Sequence, residues 1–109
     1  MMRKILLFSF VFIIITFASS NAKAYWMIGP GAESCGYMIE QSEKEGYKNI
    51  IGFWLQGYVS AQNQKNNSFK FAEFNSIYFE TLRICKEKPL LKIYNAASEM
   101  YENLEIKYP

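Results

Sequence analysis

The first 24 residues of this 109-residue sequence set the size of the folded domain and the conditions in which it folds. A short basic stretch precedes an apolar run from Ile5 to Phe17, and the segment ends at Ala24 in an A-x-A pattern of small residues. This order is typical of a secretory signal peptide, which is removed from the mature protein. The apolar run is shorter than the roughly 20 residues of a membrane-spanning helix, so we expect no stable membrane anchor after cleavage.

Cleavage after residue 24 predicts a mature chain that begins at Tyr25 and forms a single domain over residues 25–109, in the periplasm or secreted. A domain of this size has a modest core. Its two cysteines, Cys35 and Cys85, permit one pairing only, and an exported chain meets an oxidising compartment. We therefore expect a disulfide. Chain-entropy estimates for a loop of this length give about 4 kcal/mol of stabilisation.

The charge of the mature chain argues against nucleic acid as a partner. Removing the signal takes Arg3, Lys4 and Lys23 away, so 12 basic residues become 9 against 10 acidic ones and the net charge moves from +2 to about −1. All the acidic residues are glutamates, and the chain has no histidine and no aspartate. The common catalytic arrangements need these residue types. We expect no enzyme activity, no catalytic residue, no metal and no cofactor.

The first half of the mature chain predicts an irregular arm followed by two helices. The first helix runs from Cys35 to about Glu45, with Ser34 as its cap and Gly46 at its end. The second runs from Lys48 to Gln62, because large apolar residues recur there at three and four residues. Gly52 and Gly57 interrupt this helix, so we expect a close approach to its backbone there, and we favour a neighbouring helix that crosses at Gly57 and Ala61 over a ligand.

The second half predicts a polar surface loop over residues 63–68 and two more helices. The stretch from Phe69 to Phe74 is compatible with strand, helix or coil. Asn75 or Ser76 caps a third helix that ends near Lys88, and its inward side carries Ile77, Tyr78, Thr81, Leu82 and Cys85. A final helix follows Pro89, with a packing seam made of Leu90, Tyr94, Ala97, Tyr101 and Leu104.

These elements together predict an all-α fold, a small orthogonal bundle of about four helices in which one disulfide joins the first helix to the third. The glutamate clusters, Glu40, Glu43 and Glu45 and then Glu99, Glu102 and Glu105, are interpreted as solvated faces. Aromatic residues make up 17% of the chain, which fits a small core and leaves room for a binding patch. We place candidate partner contacts on the second helix, at Trp54, Tyr58 and Val59.

Three segments carry a resemblance to a known family: Cys35-Gly36-Tyr37-Met38, then residues 53–58 (FWLQGY), and residues 84–89 (ICKEKP). The chain resembles the HdeA/HdeB family of small periplasmic acid-stress chaperones over most of residues 35–104. The resemblance implies a helical, exported protein that is a folded homodimer near neutral pH. In acid such a protein comes apart and exposes apolar surface that holds unfolding client proteins.

The charge arithmetic permits that mechanism. Protonation of the glutamates near their usual pKa of about 4.3 would move the mature chain from about −1 to roughly +10, and self-repulsion of this size loosens compact states. Because the chain lacks histidine, a switch must act below about pH 5. An alternative partner is a specific toxin, since the chain is also similar to small exported immunity proteins that act against type VI secretion effectors.

Overall fold

The computed structural model describes residues 27–106, and within them the chain is all-α. A short 3-10 helix precedes four α-helices, whose bounds are Cys35–Gln41 (α1), Tyr47–Asn66 (α2), Phe74–Glu87 (α3) and Ile93–Asn103 (α4). The 3-10 helix covers Pro30–Ala32. The predicted fold class is confirmed. The predicted signal peptide, residues 1–24, and the mature start at Tyr25 lie outside the described residues.

Helix α3 is the centre of the bundle, because it packs against α1, α2 and α4, whereas the 3-10 helix bridges α2 and α4. The predicted disulfide is confirmed: Cys35 in α1 is bonded to Cys85 in α3, with 4.8 Å between their Cα atoms. Both cysteines are fully buried. The core around them consists of Met38, Ile51, Leu55, Val59, Ile77, Tyr78, Leu82, Ile84, Ile93, Ala96, Ala97, Met100 and Tyr101.

Helix α1 begins as predicted and ends earlier. The Ser34 hydroxyl accepts a hydrogen bond from the backbone N–H of Tyr37 at 3.1 Å, which confirms Ser34 as the cap. The Ser42 hydroxyl donates a hydrogen bond to the carbonyl of Ile39 at 2.6 Å. This carbonyl lies in the last turn of α1, where backbone carbonyls lack a hydrogen-bond partner within the helix. Gly46 does not end α1. It lies at the start of α2 with a φ of 86°, a left-handed conformation that suits glycine.

Helix α2 is longer than predicted, because it continues to Asn66 through most of the expected polar loop. Asn67 then ends it in a left-handed conformation with a φ of 49°. The prediction of a loop over residues 63–66 is wrong. A tertiary contact explains the difference, since the Asn63 side chain is held by the backbone of Lys70 at 2.8 and 3.1 Å.

The predicted close approach is confirmed at Gly52, and the predicted helix crossing at Gly57 and Ala61 is wrong. Gly52 is buried, and a Cβ atom placed on it would overlap the ring of Phe74, which packs there at the start of α3. Gly57 and Ala61 are exposed, and a Cβ on Gly57 would meet no atom within 4 Å. The two glycines lie on different sides of α2, and helical periodicity alone did not indicate which of them would be buried.

The undecided stretch from Phe69 to Phe74 is extended through residue 73, and α3 begins at Phe74. It carries one isolated bridge, between Lys70 and Ile106. The cap position of α3 is Glu73, and its side chain makes no capping hydrogen bond, so the prediction of Asn75 or Ser76 is wrong. The predicted inward side of α3 is confirmed as buried, and Ile84 joins it.

Helix α4 begins at Ile93, whereas the predicted packing seam starts at Leu90. Residues 91–93 pair with residues 33–35, since Cys35 N–H donates to Leu91 O at 2.8 Å and Ile93 N–H donates to Glu33 O at 2.9 Å. This pairing keeps residue 90 outside the helix, and Leu90 is 98% exposed. The buried face of α4 is made of Ile93, Ala96, Ala97, Met100 and Tyr101, so only part of the predicted seam is correct.

Candidate functional site

The predicted contact residues Trp54 and Tyr58 lie one turn apart on α2 and form one aromatic surface. Their rings are stacked, with centroids 5.6 Å apart and planes inclined by 26°. Both side chains are half-buried and pack against the edge of the core. The third predicted residue, Val59, is only 6% exposed and belongs to the core, so in the folded chain its side chain does not form part of this surface.

The N-terminal segment of the described chain packs over Trp54. This segment, residues 27–34, is called the N-terminal arm below. The indole Nε1 donates a hydrogen bond to the carbonyl of Ile28 at 3.4 Å. A Cβ atom on Gly31 would overlap the indole ring, so the arm can lie this close only because residue 31 is glycine. Gly29 adopts a φ of 90°, which turns the arm across α2.

A cleft of about 380 Å³ adjoins the aromatic surface between α2 and α4. Its walls combine aromatic, amide and hydroxyl groups with one cation and are formed by Met27, Tyr58, Gln62, Lys65, Tyr94, Asn95 and Ser98. Met27 of the arm forms part of the wall of the cleft. Displacement of the arm would join the cleft to the surface of Trp54 and give one larger aromatic area.

Sequence reasoning missed a second exposed apolar surface on α2. Ile50 is 62% exposed and Phe53 is 67% exposed. The Phe53 ring lies against Phe74 of α3, with centroids 5.6 Å apart in an edge-on arrangement. The apolar run in this helix is broad enough to suggest two faces, but the pattern does not tell which face meets the core.

Carboxylates connect α3 to α4 on the outside of the bundle. Lys88 Nζ lies 2.8 Å from Glu99 Oε1, and Asn103 Nδ2 donates to Glu80 Oε1 at 3.2 Å. Arg83 also pairs with Glu80. The hydrogen bonds from Arg83, with a contribution from Asn103, lower the pKa of Glu80 below its usual value. The ion pairs require ionised carboxylates, and the hydrogen bond from Asn103 is stronger to a carboxylate than to a neutral carboxylic acid.

The glutamates expected on solvated faces lie mostly in solvent: Glu40, Glu43, Glu45, Glu102 and Glu105 are exposed. Glu99 is half-buried and makes the ion pair with Lys88. Within residues 27–106, no group of three or more acidic or cysteine side chains is arranged to hold a metal ion. Among the helices of that same range, none is long and apolar enough to cross a membrane.

Comparison with protein-family models, with curated proteins and with solved structures finds no match for this chain.

Proposed function

We propose that this protein is an exported, non-enzymatic protein that binds other proteins, and that it acts as an acid-activated chaperone of the HdeA-like kind. The observation that carries the proposal is the aromatic surface of Trp54 and Tyr58, where the N-terminal arm packs on the Trp54 indole. A chaperone of this kind needs apolar surface that is protected at neutral pH and available in acid.

Near the indole the arm is held mainly by packing, whereas its other end pairs with the start of α4 through Glu33 and Ile93. One long hydrogen bond joins Ile28 to the indole, and the rest of the contact is the close packing of the arm on the ring. The 3-10 helix inside the arm contacts both α2 and α4. The position of the arm over Trp54 therefore depends on α4 keeping its place in the bundle.

We expect acid to weaken the contacts that hold α4 in its place in the bundle. Protonation of carboxylates in acid removes the Lys88–Glu99 ion pair and weakens the hydrogen bond from Asn103 to Glu80, while the remaining cations repel one another. The disulfide between α1 and α3 does not respond to pH and holds these two helices together. The expected acid state is a loosened, tethered chain in which the arm has left Trp54 and Tyr58.

The test is the aggregation of an unrelated client protein, followed by light scattering near pH 3 and near pH 7, with and without the oxidised mature chain. We expect suppression in acid and none at neutral pH. The double variant Trp54→Ser/Tyr58→Ser should lose most of the suppression. Phe79→Ser is the matched control, because Phe79 is a 55% exposed aromatic residue on α3, away from the arm.

Two results would oppose the proposal. The first is unchanged client aggregation while circular dichroism reports that the chain keeps its native tertiary signal in acid. The second is suppression that the double variant and the control reduce equally, which would remove the role of the aromatic surface. Tight, pH-independent binding to a single toxin would favour the immunity-protein alternative instead.

A further inference from the structure

The cleft between α2 and α4 contains polar side chains that have no hydrogen-bond partner within the described chain. Gln62 and Asn95 are half-buried in its walls, and neither side-chain amide bonds to another residue within 27–106. The next residue of α2, Asn63, differs, because its amide is engaged with Lys70 and Tyr101. Polar groups that are withdrawn from water normally have a partner, so the amides of the cleft are suited to a bound ligand.

The two helices that form the cleft contribute similar sets of side chains. Each helix supplies one tyrosine, one amide and one further polar group, and these are Tyr58, Gln62 and Lys65 on α2 and Tyr94, Asn95 and Ser98 on α4. Spacings of three and four residues place the members of each set on the same side of their helix. The cleft volume of about 380 Å³ lies at the lower end of the range of small-molecule sites, about 300 to 1,000 Å³.

The charge of the cleft is positive only. Lys65 is the one charged residue of its described wall, and no glutamate lines it, although the chain carries 10 acidic residues. Within residues 27–106 the ion pairs involve Arg83 and Lys88, so Lys65 is not paired with a carboxylate there. A single cation beside uncharged polar groups favours a ligand that carries one carboxylate.

We propose that this cleft binds an acidic sugar, a pyranose that carries a carboxylate. Lys65 pairs with the carboxylate of the sugar. The amides of Gln62 and Asn95 each offer donors and an acceptor, which neighbouring sugar hydroxyls need because every hydroxyl both donates and accepts. The rings of Tyr58 and Tyr94 supply apolar surface for the C–H groups of the sugar ring.

Other classes of small ligand leave part of the cleft without a match. A fatty acid shares the carboxylate but offers the two amides no hydrogen bond. An amino acid or a peptide N-terminus brings an ammonium group, which finds no carboxylate in the described wall. A nucleotide brings several phosphate charges to one cation. The acidic sugar is the class whose charge, hydroxyls and ring all find partners here.

The test is a titration of the oxidised, isotope-labelled mature chain with D-glucuronate, followed by NMR near pH 7. We expect saturable shifts of the side-chain amide signals of Gln62 and Asn95, with a Kd of about 1 mM. Two matched probes separate the parts of the ligand. D-glucose has the hydroxyls without the carboxylate, and cyclohexanecarboxylate has the ring and the carboxylate without the hydroxyls. Each should bind at least about 10-fold more weakly than glucuronate.

Two substitutions assign the contacts. Lys65→Gln should weaken glucuronate binding by about 10-fold and leave the shifts caused by glucose unchanged, because it removes only the cation. Asn95→Ala should weaken glucuronate binding by about 3- to 10-fold, and the chain should stay folded because alanine favours the helix. The matched controls are Lys44→Gln and Asn49→Ala, at exposed positions outside the cleft, and both should bind glucuronate as the unchanged chain does.

An absence of saturable shifts up to about 20 mM glucuronate would overturn the inference. Binding that Lys65→Gln and Asn95→Ala leave intact would also overturn it, because the ligand would then lie outside this cleft. Equal binding of cyclohexanecarboxylate would contradict a sugar, and equal binding of glucose would contradict the pairing with Lys65. The inference does not rest on the proposed function. Sugar titration near pH 7 and client aggregation in acid are separate readouts, so either proposal can fail alone.

Discussion

Gly31 and Gly57 are the same residue type but have opposite surroundings in the folded chain. Gly31 is buried beneath the indole of Trp54, with no room for a side chain, whereas Gly57 faces open space on a helix. A tyrosine shows the same dependence on context: Tyr47 Oη is buried and has no hydrogen-bond partner among the residues that the structure describes. At the scale of single residues, packing therefore decides what each substitution costs.

Gly31→Ala is expected to destabilise the folded chain by about 1 to 3 kcal/mol, because the methyl group overlaps the Trp54 ring and forces the arm or the indole to move. Urea unfolding at low protein concentration measures this change. Gly57→Ala is the matched control and should raise stability by up to about 1 kcal/mol. Equal effects of the two substitutions would contradict the position of the arm.

Tyr47→Phe should leave stability unchanged or raise it by up to about 1 kcal/mol, because it removes a buried hydroxyl that lacks a partner. The control is Tyr101→Phe, which removes a 2.9 Å hydrogen bond to Asn63 and should cost about 1 kcal/mol. Thermal unfolding of both variants makes the comparison. A larger loss in Tyr47→Phe than in Tyr101→Phe would mean that the Tyr47 hydroxyl is bonded after all.

At the scale of elements, one side chain connects three segments. The Asn63 amide pairs with both backbone groups of Lys70, as a neighbouring strand would, and its oxygen also accepts from Tyr101. Lys70 Nζ in turn donates to the Tyr101 carbonyl at 3.1 Å, near the end of α4, where a cation is favoured by the helix dipole. This cluster joins the end of α2, the extended stretch and the end of α4.

Asn63→Asp tests this connection with almost no change of shape. The aspartate cannot donate to the Lys70 carbonyl and places a negative oxygen beside it, so we expect a loss of about 1 to 3 kcal/mol in urea unfolding near pH 7. Asn66→Asp, at an exposed position in the last turn of α2, should change stability by less than about 0.5 kcal/mol. A similarly small effect at Asn63 would argue against the connection.

At the scale of the whole molecule, the disulfide and the carboxylate contacts respond to different conditions. Cys35–Cys85 ties α1 to α3 whatever the pH, whereas the Lys88–Glu99 ion pair and the Asn103–Glu80 hydrogen bond between α3 and α4 are strongest with ionised carboxylates. Because the pKa of Glu80 is lower in the folded chain, its contribution to stability is present above the unfolded value of about 4.3. That contribution is lost as the pH falls through the folded value.

Glu80→Gln should therefore lower stability by less than about 1 kcal/mol near pH 7 and have no effect near pH 2, which flattens the dependence of stability on pH. Urea unfolding at pH 7, 5, 3 and 2 measures this slope. Glu43→Gln, in the exposed turn between α1 and α2, should keep the slope of the unchanged chain. A slope that Glu80→Gln leaves intact would place the acid response elsewhere.

The sequence by itself determined the helical class, the buried side of α3, the cap at Ser34 and the disulfide. Helical periodicity and capping act between residues a few positions apart, and two cysteines allow a single pairing. It also placed Trp54 and Tyr58 together, because they are one turn apart on one helix.

Only the tertiary structure decided the rest. It extended α2 through Asn63, delayed α4 beyond Leu90, left a close approach at Gly52 but none at Gly57, and placed the arm over Trp54. Each of these depends on contacts between segments far apart in the chain, such as Asn63 with Tyr101, residues 33–35 with 91–93, and Gly31 with Trp54. Local sequence patterns do not specify which distant segment will pack against a given residue, so these features depend on tertiary packing.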